Sequence, residues 1–357
     1  MIELKKLYKS VVKCFFFIKY GKIKKILNFS NQLEIIKFKV EKKNYKIYKI
    51  INCRIFTDSV HDLAFIINNK ILKEPSFQLR NLINSNIKNN IVLSSGTPRF
   101  LKKIKGPILC LLTGGAGNNN YWHWMYDVLP RIALIEKKYN LKFFRKILIP
   151  NDIYSFQKET LKLLKLEKKI LSSKKFKHIK TNCVISTNHP WQHSLSAHKD
   201  IGNVPKWISI WLKKKFLIHK SNKKFYEKIY IDRSDSKFHK IKQRQIINEK
   251  EIINFLTKKN FKIIKLTSFS FIEQMSIFNS AKIIVGNHGA GFTNLIFCKK
   301  KTKIIEFIDK NTSKVIKKIS NDMNLNYKSI IGKRINKDLK NQNNNLKISI
   351  KKLSKLL

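Results

Sequence analysis

The chain has 357 residues, of which 75 are Lys or Arg and 22 are Asp or Glu, so its formal charge at pH 7 is +53. A hydrophobic content of 43% excludes disorder throughout, because that much apolar surface can build a folded core. The length predicts about two domains. Only eight basic residues are Arg, which leaves 67 Lys spread along the chain. This pattern favours a general composition bias over a dedicated nucleic-acid surface, where Arg is preferred.

Cysteine spacing and apolar runs indicate the cellular compartment of the protein. The five cysteines have no CxxC spacing for zinc or a disulfide framework, which indicates reduced thiols in a cytoplasmic protein. No run of about 20 apolar residues occurs, so we expect no transmembrane helix and no secretory signal. Apolar residues at helical spacing from Leu4 to Phe16 leave two interpretations open. This helix either lies peripherally on the anionic inner face of the cytoplasmic membrane or packs on its own domain.

The first half of the chain predicts two segments. Residues 1–100 predict a basic N-terminal segment and a strand-rich lead-in region, and residues 101–215 predict an α/β unit. The elements expected in this unit are strand 107–113, a Gly/Asn loop over 114–120, helix 121–139, strand 146–149 and helix 153–166.

A second alternating series fills residues 216–335, and residues 336–357 predict a polar loop and a C-terminal helix from Leu346. The elements expected in this series are strand 228–232, helix 248–259, strand 262–266, helix 270–280, strand 282–285, a glycine loop with a short helix, strand 303–308 and helix 313–323. Strands that alternate with helices favour parallel sheets, so the predicted fold class is α/β with two units.

The most informative motif runs from Val285 to Asn294 and reads VGNHGAGFTN, between an apolar strand and a helical stretch. Glycines let the backbone approach a ligand closely, and the N–H groups that open a helix attract anions. A tight packing turn is the alternative to a ligand site at this motif.

Two arginines lie near the end of another predicted strand. Arg233 ends the strand predicted at 228–232, at the edge where open α/β sheets bind ligands, and Arg244 follows in the same loop. Both arginines could bind a phosphate through their planar guanidinium groups. The alternative interpretation of Arg233 is a structural ion pair with a carboxylate.

Acidic residues of the second half divide into two groups. Glu306 ends an apolar strand near the glycine loop, where a ribose hydroxyl could be held. Two other pairs match the capping box that begins a helix, namely Asn248 with Glu251 and Ser270 with Glu273.

In the first half, His123 and Asp127 are four residues apart and therefore share one face of the predicted helix, among aromatic residues. Such a pair suits proton abstraction from a hydroxyl, and a buried hydrogen bond that orients the helix is the alternative. No metal site is predicted. The spacing of His189, His193 and His198 lacks a second ligand group.

Four blocks together resemble glycosyltransferase family 61, in the expected order over about 106–310. They are NYWHWMYDVLPRI from Asn120, IYIDRSDSKFHKIKQRQIINEKEI from Ile229, SFSFIEQMSIFNSAKIIVGNHGAGFTNLIF from Ser268 and KIIEFI from Lys303. The resemblance implies a GT-B architecture, with two Rossmann-like domains facing a cleft. It also implies inverting, metal-independent transfer of a hexosyl or pentosyl group from a nucleotide-sugar, without a cofactor.

The resemblance further implies partners and a setting. The partners would be the nucleotide-sugar donor and a glycan or glycolipid acceptor. The basic amphipathic N-terminal segment, and not the resemblance, indicates an anionic membrane as a further partner, and the spread of Lys indicates no specific nucleic acid. The setting would be synthesis of a bacterial capsule, lipopolysaccharide or other surface polysaccharide. Two other classes stay open, namely a basic module that binds nucleic acid or another polyanion and an inactive scaffold of the same fold.

Residue by residue, the resemblance implies that Asp127 or His123 is the general base. The acceptor would contact Asn120, Tyr121, Trp122 and Arg131. The residues implied to bind the nucleotide-sugar are Arg233, Arg244, Asn248, Glu249, His288, Gly289, Ala290, Gly291, Asn294 and Glu306.

Overall fold

A computed structural model describes residues 2–57, 63–76, 86–112, 120–150, 153–194, 200–223, 225–236, 244–335 and 344–357. Residues 114–119 of the expected Gly/Asn loop, His198 and residues 336–343 of the expected polar loop lie outside these ranges. The chain divides into two compact units, Met1–Asp200 and Ile201–Leu357. We call them unit 1 and unit 2.

Unit 1 contains ten described strands and five α-helices. The strands are β1 (Lys25–Leu27), β2 (Leu33–Val40), β3 (Lys43–Thr57), β4 (Leu63–Ile67), β5 (Lys70–Leu72), β6 (Lys102–Lys103), β7 (Ile108–Cys110), β8 (Lys146–Ile149), β9 (Ile170–Ser172) and β10 (His178–Thr187). The helices are α1 (Ile2–Tyr20), α2 (Ile91–Ser95), α3 (Tyr121–His123), α4 (Pro130–Ile135) and α5 (Ser155–Leu163).

The centre of unit 1 is a parallel sheet in the order β9-β8-β7-β10, which is 3-2-1-4 in chain order. This is the strand order of half a Rossmann fold. The long strand β3 pairs antiparallel with β10 and joins β2, β4, β5 and β1 to the same sheet. Ile50 and Ile55 of β3 share a buried cluster with Ile108 and Val184. The strands between residues 25 and 57 and between residues 63 and 72 are therefore part of the sheet that forms the core of unit 1.

Unit 2 is a five-stranded, all-parallel sheet with helices. Its strands are β11 (Lys228–Asp232), β12 (Lys262–Lys265), β13 (Ile283–Asn287), β14 (Lys303–Ile308) and β15 (Asn326–Ile331), followed by the short pair β16 (Lys333–Arg334) and β17 (Leu346–Lys347). Its α-helices are α6 (Lys206–Phe216), α7 (Glu249–Thr257), α8 (Phe271–Ser280), α9 (Val315–Asp322) and α10 (Ile350–Leu356), and residues Ala290–Phe297 form a 3₁₀ helix.

The strand order β12-β11-β13-β14-β15 is 2-1-3-4-5, the other common doubly wound order. Tyr230, Val285, Ile305 and Phe307 build the core beneath it. The α/β class predicted from the sequence is confirmed. The sequence analysis missed β15, because Asn326–Ile331 is a mostly exposed edge strand without a clear apolar pattern.

The helix predicted over 121–139 is interrupted. It begins at Tyr121 as expected, but residues Trp124–Val128 form a π-helical turn, and α4 ends at Ile135. Pro130 explains the widened turn. Proline has no N–H for the fourth preceding carbonyl, and its ring clashes with that carbonyl in a regular α-helix. Such turns occur often at functional sites.

Among the described helices, none combines the length and apolar composition needed to cross a membrane.

Candidate functional site

Polar residues lie at the topological switch point of each sheet, where the connections between strands change direction. In unit 1 the connections change direction between β7 and β10, and in unit 2 between β11 and β13. Open α/β sheets bind ligands in the crevice at the carboxyl ends of the strands at such a point. Thr187 and His189 lie at the end of β10, whereas Arg233 and His288 follow β11 and β13.

In unit 1, Asp127 is fully buried and both of its carboxylate oxygens are occupied. Oδ2 lies 2.9 Å from His123 Nδ1, and Oδ1 accepts a 2.5 Å hydrogen bond from Trp191 Nε1. The His123 side chain is 34% exposed, and its Nε2 has no hydrogen-bond partner among the described residues. The contact expected from the i, i+4 spacing is therefore present, and the imidazole is the accessible member of the pair.

The His123–Asp127 pair favours its charged form. Burial lowers the pKa of His123, but the charge of Asp127 and their hydrogen bond outweigh burial and raise this pKa above 6.5. Burial raises the pKa of Asp127, but His123, His189 and Trp191 outweigh it and lower the pKa below 3.8. An ionised Asp127 fixes a proton on Nδ1 and leaves Nε2 of the neutral imidazole as a base.

The four residues expected to contact the acceptor lie close to this pair. Asn120 caps α3, because its side chain accepts hydrogen bonds from Trp122 N and His123 N. Tyr121 packs edge-on against Phe156. Trp122 is only 6% exposed and stacks on Tyr126 at 5.0 Å between ring centroids.

The guanidinium of Arg131 is buried below the same helix. Its Nε donates to Asp127 O and its Nη1 to Thr187 O, at 3.2 and 2.7 Å. Burial lowers the pKa of Arg131 to about 10, so it stays charged at neutral pH. Arg131 also lines a cavity of unit 1.

Sequence reasoning missed the roles of His189 and Trp191. His189 Nε2 lies 3.9 Å from Asp127 Oδ2, and burial lowers the pKa of His189 to about 3. His193 lines the same cavity as His189, and its ring lies edge-on to Tyr45. The aromatic and histidine-rich string around Pro190 was the available signal, but 64 residues separate Trp191 from Asp127. Among the described residues, no group of three or more His, Cys, Asp or Glu side chains could hold a metal ion.

In unit 2, Arg233 contacts the glycine loop directly. Its Nη1 donates to the carbonyl oxygen of His288. A Cβ atom at Gly289 would lie 2.6 Å from Arg233 Cζ, so any side chain at this position would displace the guanidinium from the loop. Burial lowers the pKa of Arg244 to about 10, and the nearby charge of Arg233 adds to that effect. Asn287 Nδ2 donates to Arg244 O at 2.8 Å and ties the two loops together.

A second histidine–carboxylate pair stands beside this arginine pair. His288 Nδ1 lies 2.6 Å from Glu306 Oε1, and Tyr327 donates to Glu306 Oε2 at 2.6 Å. Glu306 is 1% exposed, whereas the His288 side chain is 13% exposed. Both oxygens of Glu306 thus have partners within the chain, and His288 is the more accessible group. Tyr327 was not anticipated, because it lies on the unpredicted strand β15.

The other residues expected at the donor site have partners in the interior. Asn248 lies at the predicted N-cap position of α7, but its side chain makes no capping hydrogen bond, because it exchanges two hydrogen bonds with the backbone of Ile348. Glu249 accepts from Tyr230 at 2.7 Å. Asn294 is buried in the 3₁₀ helix and donates to Gln274, while Ala290 and Gly291 open that helix.

The second predicted capping box is present. Ser270 accepts from Glu273 N, and the Glu273 carboxylate accepts from Ser270 N. Glu273 is therefore a structural residue at the start of α8.

The two units are α/β sheets with polar side chains at their switch points, an arrangement typical of α/β proteins that bind ligands. The model of the family described as Glycosyltransferase 61 matches residues 121–305, just over half of the chain. The chain therefore belongs to glycosyltransferase family 61, and its activity is sugar transfer from a donor to an acceptor. No curated protein matches the chain significantly. Family membership confirms the resemblance drawn from the four sequence blocks.

Proposed function

We propose that the chain is an inverting, metal-independent glycosyltransferase of GT-B type that uses a nucleotide-sugar. Unit 2 binds the donor and unit 1 binds the acceptor. The observation that carries this assignment is the pairing of a buried carboxylate with a more accessible histidine at the switch point of unit 1, together with two arginines at that of unit 2. The first group can take a proton and the second can hold a diphosphate.

The donor site is supported by charge and position. Arg233 and Arg244 lie close enough for each charge to affect the other, and both follow β11 at the switch point. Two guanidinium groups neutralise a diphosphate and offer paired N–H donors to its oxygens. We assign the neutralisation of the leaving group to these arginines, so no divalent metal and no cofactor takes part.

His123 is the general base, and Asp127 is its positioning residue. Asp127 cannot reach a substrate proton because both of its oxygens are occupied inside unit 1. His123 Nε2 faces away from that carboxylate and accepts the proton. The raised pKa of His123 makes it a stronger base, but only once the ring is neutral.

The reaction is one displacement at the anomeric carbon. The proton of the acceptor hydroxyl moves to His123 Nε2, and the acceptor oxygen forms a bond to the anomeric carbon. The bond from that carbon to the phosphate oxygen breaks, and the nucleoside diphosphate leaves with the electron pair. Arg233 and Arg244 stabilise the negative charge on the leaving group.

A thermal-shift screen of nucleoside diphosphates and nucleotide-sugars tests the donor site, followed by turnover of the best donor with and without a chelator. We expect one nucleotide to raise the melting temperature, activity to survive chelation, and NMR of the product to show inversion of the anomeric configuration. Arg233→Ala should lower kcat about 10² to 10³-fold because it removes a donor to developing charge. A retained configuration, or wild-type turnover by this variant, would contradict the proposal.

We also propose that the enzyme works in the cytoplasm at the inner face of the membrane, in the synthesis of bacterial surface polysaccharide. Helix α1 supports this. Its last turns are docked, with Phe16 buried and Tyr20 OH accepting from Leu101 N. Its first turns expose apolar side chains beside lysines, and the chain carries +53. The exposed apolar residues are Leu4, Leu7, Tyr8, Val11, Phe15 and Ile18.

Vesicle flotation tests the membrane contact. The protein should float with vesicles that contain anionic lipid and stay behind with neutral vesicles. The variant Leu4→Ser/Leu7→Ser/Val11→Ser should lose this binding and keep its melting temperature, because these side chains are exposed. Ile331→Ser, an exposed apolar position in unit 2, is the matched control. Equal flotation of all three proteins would contradict a membrane role for α1.

A further inference from the structure

A cavity of about 500 Å³ opens in unit 1 at the carboxyl ends of β7 and β10. Its size lies within the range of roughly 300 to 1,000 Å³ that is typical of small-ligand sites. Leu112 follows β7, and Thr187, Asn188 and His189 follow in turn at the end of β10. The cavity therefore occupies the switch point of this sheet, and its walls combine buried and charged side chains.

Arg131 places a positively charged guanidinium group at the cavity wall, and no carboxylate among the described residues neutralises it. The residue is 4% exposed, and its Nε and Nη1 donate to the oxygens of Asp127 and Thr187 described above. Within the described part of the chain, Nη2 donates to no acceptor, and no carboxylate lies within ion-pair distance of Arg131. The carboxylate of Asp127 is directed to His123 and Trp191 instead. A buried guanidinium with a free edge favours an anionic ligand group.

The other charged groups of the wall keep the cavity positive. Glu74 is neutralised by Lys46 at 2.8 Å and accepts from Tyr48 OH at 3.2 Å. Lys73 adds another positive charge at the rim. Together with Arg131, it leaves an excess of positive charge around a space that fits a monosaccharide.

We propose that this cavity binds a sugar carrying a carboxylate, a hexuronic acid of the acceptor glycan. Arg131 Nη2 donates to the carboxylate, and Gln192, which lines the same wall, lies beside the sugar ring. This inference rests on the proposed function, in which unit 1 holds the acceptor. It further specifies that acceptor as an acidic glycan.

Ligand-observed NMR titration without donor tests the inference. The probes are the methyl glycosides of glucuronic, galacturonic and mannuronic acid, each compared with its neutral hexose counterpart. At least one acid should bind about tenfold or more tightly than its neutral counterpart, because a hydrogen bond to a charged group is stronger than a neutral one. The inference is overturned if no acid is preferred. It is also overturned if glucose 6-phosphate binds and none of the uronic acids does.

Three variants locate the binding. Arg131→Gln should abolish the preference for acid, and Gln192→Leu should weaken the acid and its neutral counterpart alike. Arg145→Gln, an exposed arginine of unit 1, is the matched control. If Arg131→Gln does not fold, Lys73→Glu replaces it and should also reduce the preference. Unchanged affinities in Gln192→Leu would overturn the site.

The nucleoside-diphosphate thermal shift is measured on every variant. It reports on unit 2, so failure of the acid site and failure of the donor site give different results.

Discussion

Each unit contains a histidine paired with a buried carboxylate, and the two pairs are built differently. His123 and Asp127 lie four residues apart on one helical segment. His288 and Glu306 lie 18 residues apart, and the parallel pairing of β13 with β14 brings them together. In the first pair the second carboxylate oxygen is held by Trp191, and in the second pair by Tyr327.

The surroundings of the two pairs support different roles in the proposed function. The first pair lies among aromatic rings, and the side chain of His123 is 34% exposed. The second lies beside Arg233, and the His288 side chain is 13% exposed. We therefore assign proton transfer to the first pair and donor binding to the second.

The largest expected effect is in unit 1. His123→Ala should lower kcat about 10² to 10⁴-fold, because it removes the general base. The thermal shift caused by the nucleoside diphosphate should stay at the wild-type size, since unit 2 is unchanged. The measurement is transfer at saturating donor beside the thermal shift. A greater loss of kcat in His288→Ala would reverse the assignment of the two pairs.

The next effect concerns the glycine loop. Gly289→Ala should lower donor turnover about 10²-fold, because the new Cβ would lie 2.6 Å from Arg233 Cζ and displace the guanidinium. The melting temperature should change little, since a flexible side chain can move. Gly202→Ala, where nothing lies within 4 Å of the added atom, is the control. Turnover equal to that control would show that Arg233 is not positioned by this loop.

A smaller effect is expected from the carboxylate of the second pair. Glu306→Gln should weaken nucleoside-diphosphate binding about tenfold, because a neutral hydrogen bond replaces a charge-assisted one to His288. Tyr327→Phe keeps the contact with His288 and should retain most of the affinity. Calorimetric titration measures both. If Tyr327→Phe is the weaker binder, Glu306 acts through the tyrosine.

The pH dependence should also distinguish the pairs. Activity should rise with pH, with a midpoint above 6.5, because the raised pKa of His123 must be exceeded before the ring is a base. His288→Gln should leave this midpoint in place, and a midpoint below 6.5 would exclude His123.

The stability that the first pair contributes has a definite pH window. The contribution of His123 is full below pH 6.5 and is lost as pH rises through its raised pKa. That of Asp127 is full above pH 3.8 and is lost as pH falls through its lowered pKa. Denaturant unfolding at several pH values should show the loss on both sides, and a smaller loss in Asp127→Asn.

The smallest effect lies outside both pairs. Ser270→Ala should reduce the free energy of unfolding by about 1 kcal/mol, because it removes the N-cap of α8. Transfer activity should stay unchanged. The same substitution at Ser349, which caps the terminal helix α10, provides a comparison within unit 2. A loss of activity in Ser270→Ala would link this helix to the donor site.

Much of the site could be predicted where the interacting residues are close in sequence. The spacing of His123 and Asp127 was enough to predict their contact, and the Ser270–Glu273 box was predicted for the same reason. Asn248 lies at the predicted N-cap position, but its side chain does not cap α7 because it binds Ile348, 100 residues away. Local pattern rules cannot anticipate such a distant competitor.

The sequence by itself determined the family, the α/β class and the segments at the two switch points, since these depend on motifs and on the local period of apolar residues. Only the tertiary structure decided the partners of each carboxylate. Trp191 reaches Asp127 across 64 residues, and Tyr327 reaches Glu306 through an edge strand without a clear pattern. The strand order also decides where the cavity lies, because it places the carboxyl end of β10 beside that of β7. Pairing between distant strands depends on the packing of the whole sheet, which no local pattern contains.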